Sequence, residues 1–385
     1  MQHLGVALIG HSFMGAVHSQ AWRTVGHAYD LPARPARTVL VGRRALGAAH
    51  AAERLGWQDS TDDWKSVLRR DDVHIVDICT PGDSHAEIAV AALEAGKHVL
   101  CEKPQANTVA EAETMAIAAS RARAHGIRAM VGFTYRRVPA LALARQLIAD
   151  GRIGDIRHVR AAYLQDWLYD PRAPFTWRLQ RERAGAGALG DIGSHIVDLS
   201  QYLLGDHIDG VSAQTATFVG VRPLADSPGR TGQVTVDDAA VFTARFTGGA
   251  LATYEATRYA TGRKNALRIE VNGSCGSLAF DFESMNELSF YDAAQAAENT
   301  GGFRRILVTE PGHPYLEGWW PPGHGLGYEH AFVHQARDLV KAITEGTDPA
   351  PGFEEGLRVQ KVLAAVEASA VDGSRYTRID HHGSV

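Results

Sequence analysis

The sequence predicts an α/β domain with a doubly wound parallel sheet of the Rossmann type, followed by an α+β domain with a large, mostly antiparallel, open-faced sheet. Short apolar runs alternate with helical patterns over the first third of the chain, and a glycine loop follows the first run. From residue 156 onward, apolar and polar residues alternate. Because 385 residues are many for one hydrophobic core, we expect two domains, at 1–130 and 131–385.

The first predicted domain consists of strands that are followed by helices. Apolar runs predict strands at 6–9, 38–41, 73–78, 98–101 and 129–133. Helical patterns predict helices at 14–25, 45–55, 84–95 and 108–125. Thr108 and Glu111 have the spacing of a capping box at the start of the last of these helices. Buried parallel strands with helices on both faces are expected from this order.

The pattern changes in the second predicted domain. Alternation predicts strands at 157–165, 214–221, 234–246 and 250–259, and Asn272-Gly273 predicts a hairpin between 267–271 and 277–280. Helices are expected at 139–149, 191–204, 329–345 and 353–370, and a loop at 222–232. The second sheet is therefore expected to be largely antiparallel.

Composition excludes several classes of partner. Acidic residues outnumber basic ones by 44 to 39, which argues against a nucleic acid or a membrane surface as partner. Three cysteines without C-x-x-C spacing fit a reducing cytoplasm. No leader pattern and no apolar run of about 18 residues is found, so we expect a cytoplasmic protein without a membrane span. His381-His382 is too short to predict a metal site, so no metal is expected, and the tail is expected to be disordered.

The glycine loop reads Gly10-His11-Ser12-Phe13-Met14-Gly15, where the dinucleotide fingerprint is G-x-G-x-x-G. Gly10 allows the sharp turn and Gly15 the close packing of helix on strand, whereas Ser12 replaces the middle glycine. A serine is small, and its hydroxyl could bind a phosphate oxygen at the helix amino terminus. The alternative is an ordinary strand–helix turn, but the surrounding pattern predicts that Gly10, Ser12, Phe13, Met14 and Gly15 bind a nucleotide.

Arg43 and Arg44 follow the second predicted strand, where a carboxylate would bind the ribose hydroxyls of NAD. No carboxylate is present there. The arginines could stack on adenine or pair with a 2′-phosphate, which favours NADP, or they could simply be solvated.

Cys101-Glu102-Lys103-Pro104 lies at the carboxyl end of the fourth predicted strand, where the ligand crevice of a doubly wound sheet lies. A lysine there can stabilise negative charge on the oxygen of a reacting hydroxyl, and Pro104 could hold a cis peptide bond that directs Lys103 inward. Thr80-Pro81 ends the preceding strand, and His85 follows it. We predict that Thr80, Pro81, His85, Glu102 and Lys103 contact the cofactor.

Asp191 and His195 are four residues apart in a glycine-rich segment, so on a helix they share one face. Histidine suits a general base, and the carboxylate can bind a substrate hydroxyl or orient the imidazole. The alternative is that Asp191 caps the helix and His195 is a core residue.

Together the glycine loop, Thr80-Pro81, Glu102-Lys103-Pro104 and Gly190-Asp191-Ile192-Gly193-Ser194-His195 resemble the Gfo/Idh/MocA oxidoreductases over nearly the whole chain. The resemblance implies that the nicotinamide lies between the two domains and that Lys103, Asp191 and His195 are the catalytic trio. Tyr135-Arg136-Arg137, residues 163–167, Trp177-Arg178 and residues 257–265 resemble the levoglucosan and inositol dehydrogenase branch. That branch implies NAD, against the argument from the two arginines, so the predicted cofactor is NAD or NADP, with NAD favoured.

The predicted substrate pocket combines aromatic faces for sugar C–H groups with donors and acceptors for hydroxyls. Besides Asp191 and His195, its predicted members are Tyr135, Gln165, Trp167, Trp177, Arg178, His324 and Tyr328. The alternative for the aromatic residues is core packing, and an acidic substrate held by Arg136, Arg137 and Arg178 stays open.

The predicted function is NAD(P)-dependent oxidation of a secondary hydroxyl of a sugar, a levoglucosan-like anhydrosugar or a cyclitol to a ketone. One alternative is an NAD-dependent enzyme that oxidises the 3-position of a glycoside and then eliminates the aglycone. Another is a non-catalytic sugar sensor, which predicts loss of the lysine or the histidine, although both are present. We expect a dimer or tetramer, because the open face of the second sheet needs cover and because the family implies it.

Overall fold

The computed structural model describes residues 2–225, 227–295 and 299–380. Its first sheet has six parallel strands in the order β3-β2-β1-β4-β5-β6. These strands are β1 Gln2–Ile9, β2 Ala33–Val41, β3 Asp59–Thr61, β4 Ile75–Ile78, β5 His98–Cys101 and β6 Ala129–Val131. The strand order reverses at β1, which lies between β2 and β4, and a ligand crevice is expected outside the carboxyl ends of strands at such a point.

Helices follow these strands along the chain. They are α1 Phe13–Ala28, α2 Ala45–Leu55, α3 Trp64–Val67, α4 His85–Glu94 and α5 Val109–Arg123. The predicted capping box is confirmed, since Thr108 and Glu111 exchange side-chain and backbone hydrogen bonds. The predicted Rossmann pattern is therefore confirmed, and only the short β3 and α3 were not expected, because neither contains an apolar run long enough to detect.

The second sheet has nine strands in the order β16-β15-β14-β13-β7-β12-β11-β8-β17. Neighbouring strands are antiparallel except for β7 and β12, which are parallel. The strands are β7 Ile156–Leu164, β8 Ile208–Ala216, β9 Val221–Pro223, β10 Thr231–Gln233, β11 Ala239–Phe246, β12 Leu251–Thr257, β13 Ala266–Gly273, β14 Gly276–Asp281, β15 Glu287–Asp292, β16 Arg304–Leu307 and β17 Thr377–Arg378. Strands β9 and β10 form a separate two-stranded ribbon.

Helices cover one face of this second sheet, and one further helix packs against the first sheet. They are α6 Pro139–Ala149, α7 Arg181–Ala184, α8 Ser194–Leu204, α9 His330–Glu345 and α10 Phe353–Val371. Apolar residues of α8 and α10 share a core with β7, β8 and β11. Helix α9 instead buries Phe332, Val333 and Leu339 in a core with Leu4 and Leu8 of β1. No helix in the described ranges is long and apolar enough to cross a membrane.

Three predictions for the second half of the chain were wrong in detail. The strand expected at 214–221 begins earlier and ends at Ala216, and the one expected at 234–246 begins only at Ala239. The expected loop at 222–232 contains most of the ribbon β9–β10, and Arg222 within it is fully buried. Apolar alternation does not show where a buried carboxylate such as Asp238 interrupts a strand to bind backbone amides. The predicted hairpin is confirmed, with Asn272 opposite Ser277, and His381-His382 lies outside the described residues.

Candidate active site

The glycine loop forms an open cradle at the carboxyl end of β1. Gly10 has φ +98°, and a Cβ on Gly15 would lie 2.1 Å from the Gly10 carbonyl oxygen, so both positions require glycine. Ser12 precedes α1 with φ −74°, an ordinary value for any residue, and its exposed side chain makes no capping bond. Phe13 is 65% exposed, and Met14 is partly buried beside it. The amino terminus of a 16-residue helix is therefore free for a pyrophosphate, and the loop fits a dinucleotide.

The residues after β4 hold the next loop in place. His85 is 1% exposed, and its ring nitrogens lie 2.9 Å from the Thr80 carbonyl oxygen and 3.1 Å from that of Pro104. This ring thus joins the loop after β4, which contains Pro81, to the loop after β5. Because the His85 ring is buried in this way, it cannot make the predicted contact with the cofactor. Thr80 and Pro81 are partly accessible.

The Glu102 side chain also faces the interior, so the predicted contact with the cofactor is not one that this side chain makes in this arrangement. One carboxylate oxygen lies 3.1 Å from His18 Nε2, and the other accepts a hydrogen bond from the Lys103 amide. His18 Nδ1 lies 2.9 Å from both oxygens of Asp77, which also accepts a bond from Trp22 Nε1. Burial lowers the pKa of His18, but Asp77 and Cys79 together raise it well above its usual value. A buried, charged group thus supports the Lys103 loop from behind.

Sequence reasoning missed His18 and Asp77, although both left a signal. Asp77 is a charged residue in an otherwise apolar strand, and His18 lies on the buried face of α1. A buried aspartate requires partners, so a cation or donor opposite it could have been expected.

Lys103 and Asp191 meet across the two sheets. Lys103 Nζ donates to the Asp191 carbonyl oxygen at 2.6 Å and lies 3.3 Å from Oδ1 of the same residue. Asp191 lies in a π-helical turn, Leu189–Gly193, a feature that often occurs at functional sites, and not at a capping position. Burial raises the pKa of Asp191, but Lys103, Arg258 and Arg178 lower it to about 2. The carboxylate is therefore ionised, and the predicted cis peptide bond between Lys103 and Pro104 is confirmed.

His195 lies in the first turn of α8, directly after the π turn. Its ring centroid is 4.5 Å from that of Tyr135 and 5.8 Å from that of Tyr163. Burial and the charge of Lys103 lower the pKa of His195 well below its usual value, against the opposing effect of Asp191. The imidazole is thus neutral and able to accept a proton. Nδ1 has no hydrogen-bond partner among the described residues, so Asp191 does not orient the ring through that nitrogen.

A chain of polar side chains extends from this ring along β7. The hydroxyl oxygens of Tyr135 and Tyr163 are 2.6 Å apart, and Tyr163 donates to Asn265 Oδ1 at 2.7 Å. Gln165 Nε2 donates to the same oxygen, and its own Oε1 accepts from Trp167 Nε1. Burial raises the pKa of Tyr135 to about 12, so its hydroxyl keeps its proton. Tyr163 and Asn265 were missed as site residues, although Tyr163 lies near the end of β7, two residues before the predicted Gln165.

The remaining predicted pocket residues are Trp177, Arg178, Tyr328 and His324. The Arg178 guanidinium lies over the Trp177 ring, 4.5 Å from its centroid, and its charge acts on Asp191. Tyr328 stacks on Phe13 with 6.3 Å between ring centroids. His324 is exposed, with Nδ1 held 2.9 Å from the carbonyl oxygen of Pro321, so its predicted contact with substrate is the least supported by the geometry.

Arginines beside the site differ in their availability. Arg136 is buried in a bidentate pair with Asp198, and Arg137 pairs with Asp338. Neither can clamp an acidic substrate, so of the three arginines considered for that role only Arg178 faces the site. Arg43 and Arg44 are exposed after β2, where an adenosine would lie.

Both halves of the chain match models of known protein families. Residues 4–133 match the family model described as "Oxidoreductase family, NAD-binding Rossmann fold", and residues 141–279 match the GFO/IDH/MocA C-terminal domain. The levoglucosan dehydrogenase of Pseudarthrobacter phenanthrenivorans is 43% identical over 97% of this chain and 98% of its own length.

Two solved structures are similar throughout. An oxidoreductase domain protein from Kribbella flavida has 64% identity and a TM-score of 0.96, over 99% of this chain and all of its own. A levoglucosan dehydrogenase in complex with NADH and levoglucosan has 42% identity and a TM-score of 0.94, over 98% of this chain and all of its own.

Proposed function

Because the chain belongs to the Gfo/Idh/MocA family of NAD-binding oxidoreductases, we propose that it oxidises a secondary hydroxyl of a levoglucosan-like anhydrosugar to a ketone. This substrate class is supported by the 43% identity with a levoglucosan dehydrogenase over almost the whole of both chains. Oxidation of sugar hydroxyls with NAD is the activity class of such relatives.

The cofactor would be held by the glycine loop of the proposed nucleotide-binding domain, residues 1–130. Gly10, Ser12 and Gly15 line the open helix terminus, and Thr80 with Pro81 ends the adjacent strand of the crevice. NAD, when bound, supplies the acceptor for the hydride. The exposed Arg43 and Arg44 are able to pair with the 2′-phosphate of NADP, so both cofactors belong in the assay.

The trio supplies proton transfer and charge stabilisation. His195, neutral because of burial and the charge of Lys103, accepts the proton of the substrate hydroxyl. Lys103 Nζ, fixed on the Asp191 carbonyl oxygen, donates to the oxygen that loses this proton and stabilises its negative charge. The Asp191 carboxylate is 28% exposed and can accept a bond from the neighbouring hydroxyl.

The chemistry of the pocket supports a neutral sugar. Trp167 and Trp177 offer aromatic faces, and the hydrogen-bonded chain that includes Tyr135 and Gln165 offers donors and acceptors. Two of the three arginines considered for binding an acidic substrate, Arg136 and Arg137, are instead paired with carboxylates of the protein. A polyhydroxylated, uncharged ring therefore fits better than a carboxylic acid.

One observation carries the proposal: Lys103 Nζ, which follows the first sheet, lies 2.6 Å from the carbonyl oxygen of Asp191, four residues before the buried His195 on α8. The test is a panel of levoglucosan, aldoses and inositols with NAD and NADP, followed at the absorbance of the reduced nicotinamide. We expect reduction with levoglucosan or a closely related anhydrosugar and NAD. No reduction with any anhydrosugar, aldose or inositol would overturn the proposal.

The same assay separates the glycoside-cleaving alternative. Nitrophenyl glycosides would release their aglycone without net reduction of nicotinamide if oxidation were followed by elimination and return of the hydride. Net formation of the reduced cofactor without aglycone release is the outcome expected here.

We also infer self-association through the uncovered face of the second sheet. Val241 and Leu251 on this sheet are 54% and 51% exposed, and apolar side chains at such positions favour an interface. Light scattering after size exclusion should give a dimer or tetramer. A monomer at micromolar concentration would contradict this inference.

The cytoplasm is the proposed location of the enzyme. Cys79, Cys101 and Cys275 are all free thiols in the structure, as a reducing compartment allows. Cell fractionation with an antibody to the chain would test it.

A further inference from the structure

Asp191 lies between two cations that approach it from different sides. Lys103 Nζ is 3.3 Å from Oδ1, and Arg258 Nη1 is 3.7 Å from Oδ2. Lys103 and Asp191 have 13% and 28% of their side chains exposed, whereas Arg258 is fully buried. Lys103 therefore meets the carboxylate at the crevice, and Arg258 meets it from the interior.

The guanidinium of Arg258 is poorly satisfied by hydrogen bonds. Nη2 donates to the Asp237 carbonyl oxygen at 3.2 Å, but Nε and Nη1 have no hydrogen-bond partner among the described residues. A buried charge is costly unless a counter-charge compensates for it. Within the described residues, Asp191 is the carboxylate with which Arg258 forms an ion pair. The burial of Arg258 thus depends on Asp191 being ionised and in place.

Arg258 is buried beside the ring of Trp167, so its side chain does not reach the crevice. The Arg258 Cζ atom lies 5.4 Å from the centroid of the Trp167 ring, a cation–π distance. Trp167 is itself 43% exposed and is held by Gln165 through its indole nitrogen. Because the Arg258 side chain is fully buried, its effect on the reaction passes through Asp191.

We propose that Arg258 is a positioning residue, which holds the Asp191 carboxylate ionised and oriented so that Asp191 in turn aligns Lys103 with the reacting hydroxyl. This inference rests on the proposed function and deepens it, since it identifies the interior counter-charge of the trio. An arginine directly after a strand carries no sequence signal of burial, so the sequence alone does not predict this role for Arg258.

Electrostatics at Asp191 agree with this role. Burial raises its pKa, and Lys103, Arg258 and Arg178 together lower it to about 2. Loss of the Arg258 charge removes one of these cations, so the pKa of Asp191 must rise. The titratable and charged groups that face Asp191 are Lys103 after β5, Arg258 after β12, Arg178 before α7, His195 on α8, and the phenols Tyr135, Tyr163 and Tyr328.

The experiment compares Arg258→Met and Arg258→Lys with the wild-type enzyme, using levoglucosan and NAD across a range of pH. For Arg258→Met we expect kcat to fall roughly tenfold or more and the acid limb of kcat to move to higher pH, with NADH binding unchanged. Arg258→Lys should bring the acid limb back toward its wild-type position, because it restores the charge. A merely structural role would lower stability in both variants without moving the acid limb, and that result would overturn the inference.

A double-mutant cycle covers the case in which Arg258→Met does not fold. Arg258→Lys should lower kcat severalfold in the wild-type background but have no further effect in an Asp191→Asn background, because no carboxylate is left to hold. Equal effects in both backgrounds would overturn the inference.

A readout without turnover separates this inference from the proposed function. NMR of aspartate labelled at the side-chain carboxyl carbon should show a higher pKa for Asp191 in Arg258→Lys or Arg258→Met than in the wild type, and more so in the latter. An inactive wild-type enzyme would contradict only the proposed function. An unchanged pKa of Asp191 in both variants would contradict the inference about Arg258.

Discussion

Lys103 Nζ donates a hydrogen bond of 2.6 Å to the backbone carbonyl oxygen of Asp191, although 88 residues separate them in the chain. Lys103 follows a strand of the parallel sheet, and Asp191 lies in the π turn before α8, which packs on the antiparallel sheet. One hydrogen bond therefore joins the proposed nucleotide-binding unit to the unit that carries the proposed base. The side chain that would bind the substrate oxygen is held by the same contact.

Lys103→Met should lower kcat by roughly a hundredfold or more, because the substrate oxygen loses the donor that stabilises its developing charge. NADH binding, followed by fluorescence titration, should stay within about twofold of the wild type, since Lys103 is one of several predicted cofactor contacts and the glycine loop, Thr80 and Pro81 are unchanged. Lys341→Met, an exposed lysine on α9, is the matched control and should keep full activity. A Lys103→Met enzyme with wild-type kcat would contradict the role proposed for the amine.

The pH profile should show that the base is neutral. Burial and Lys103 lower the pKa of His195 well below its usual value, so kcat of the wild type should stay level as the pH falls through about 6.5, where an ordinary imidazole takes up a proton. His195→Gln should lose roughly a hundredfold or more in kcat, whereas the exposed His50→Gln control on α2 should lose none. An acid limb centred at about pH 6.5 in both the wild type and the His50→Gln control would argue against a neutral His195.

His18→Gln should destabilise the fold, by about 3–5 kcal/mol, because it leaves the buried Asp77 and Glu102 carboxylates without their cation. The pKa of His18 is raised in the folded state, so its stabilising charge is fully present below the unfolded value of about 6.5. This contribution is lost as the pH rises through the folded value. Urea unfolding should therefore show a larger gap between wild type and variant at about pH 6 than at about pH 9.

The outcome for His18 has a matched control on the surface. His50→Gln lies on α2 with an exposed side chain, and it should change the free energy of unfolding by less than about 0.5 kcal/mol at either pH. A gap between wild type and His18→Gln that widens with rising pH would show that His18 is not held in the charged form.

Gly15→Ala should weaken NADH binding by roughly tenfold or more, because its Cβ would lie 2.1 Å from the Gly10 carbonyl oxygen and the loop must open to admit it. Gly47→Ala on α2 is the control, since a Cβ there meets no atom within 4 Å. That change should leave NADH binding intact and stabilise the fold by about 0.4–1 kcal/mol. Equal NADH affinity in both variants would mean that the close approach at Gly15 does not shape the nucleotide site.

Local patterns were sufficient for most of the elements. Apolar runs located β1, β2, β4, β5 and β6, because buried parallel strands read as continuous apolar segments, and the Thr108 box located the start of α5. Alternation was less reliable in the second sheet, where β15 and β16 were not predicted. Interrupted alternation around Asp237 and Asp238 cannot be read locally, since these carboxylates bind amides of distant segments.

The candidate site divides in the same way. Lys103, Asp191 and His195 could be chosen from the sequence because each lies beside a turn, a strand end or a glycine-rich segment with recognisable spacing. Arg258 and Asn265 could not, since a lone arginine or asparagine after a strand has no pattern that marks it as buried beside a crevice. The inward turn of Glu102 and His85 was equally invisible, because both depend on which backbone carbonyls and rings approach from other elements.

The sequence by itself determined the fold class, the nucleotide loop and the identity of the proposed acid–base groups, because spacing along one strand or helix dictates which side chains share a face. Only the tertiary structure decided which charges face one another: His18 between two carboxylates, and Asp191 between Lys103 and Arg258. Coulombic interactions and burial depend on distances through space, and here the partners lie from 59 to 88 residues apart in the chain. The His18 contacts arise when α1 packs on the first sheet, and the Lys103–Asp191 contact arises only when the two sheets pack together.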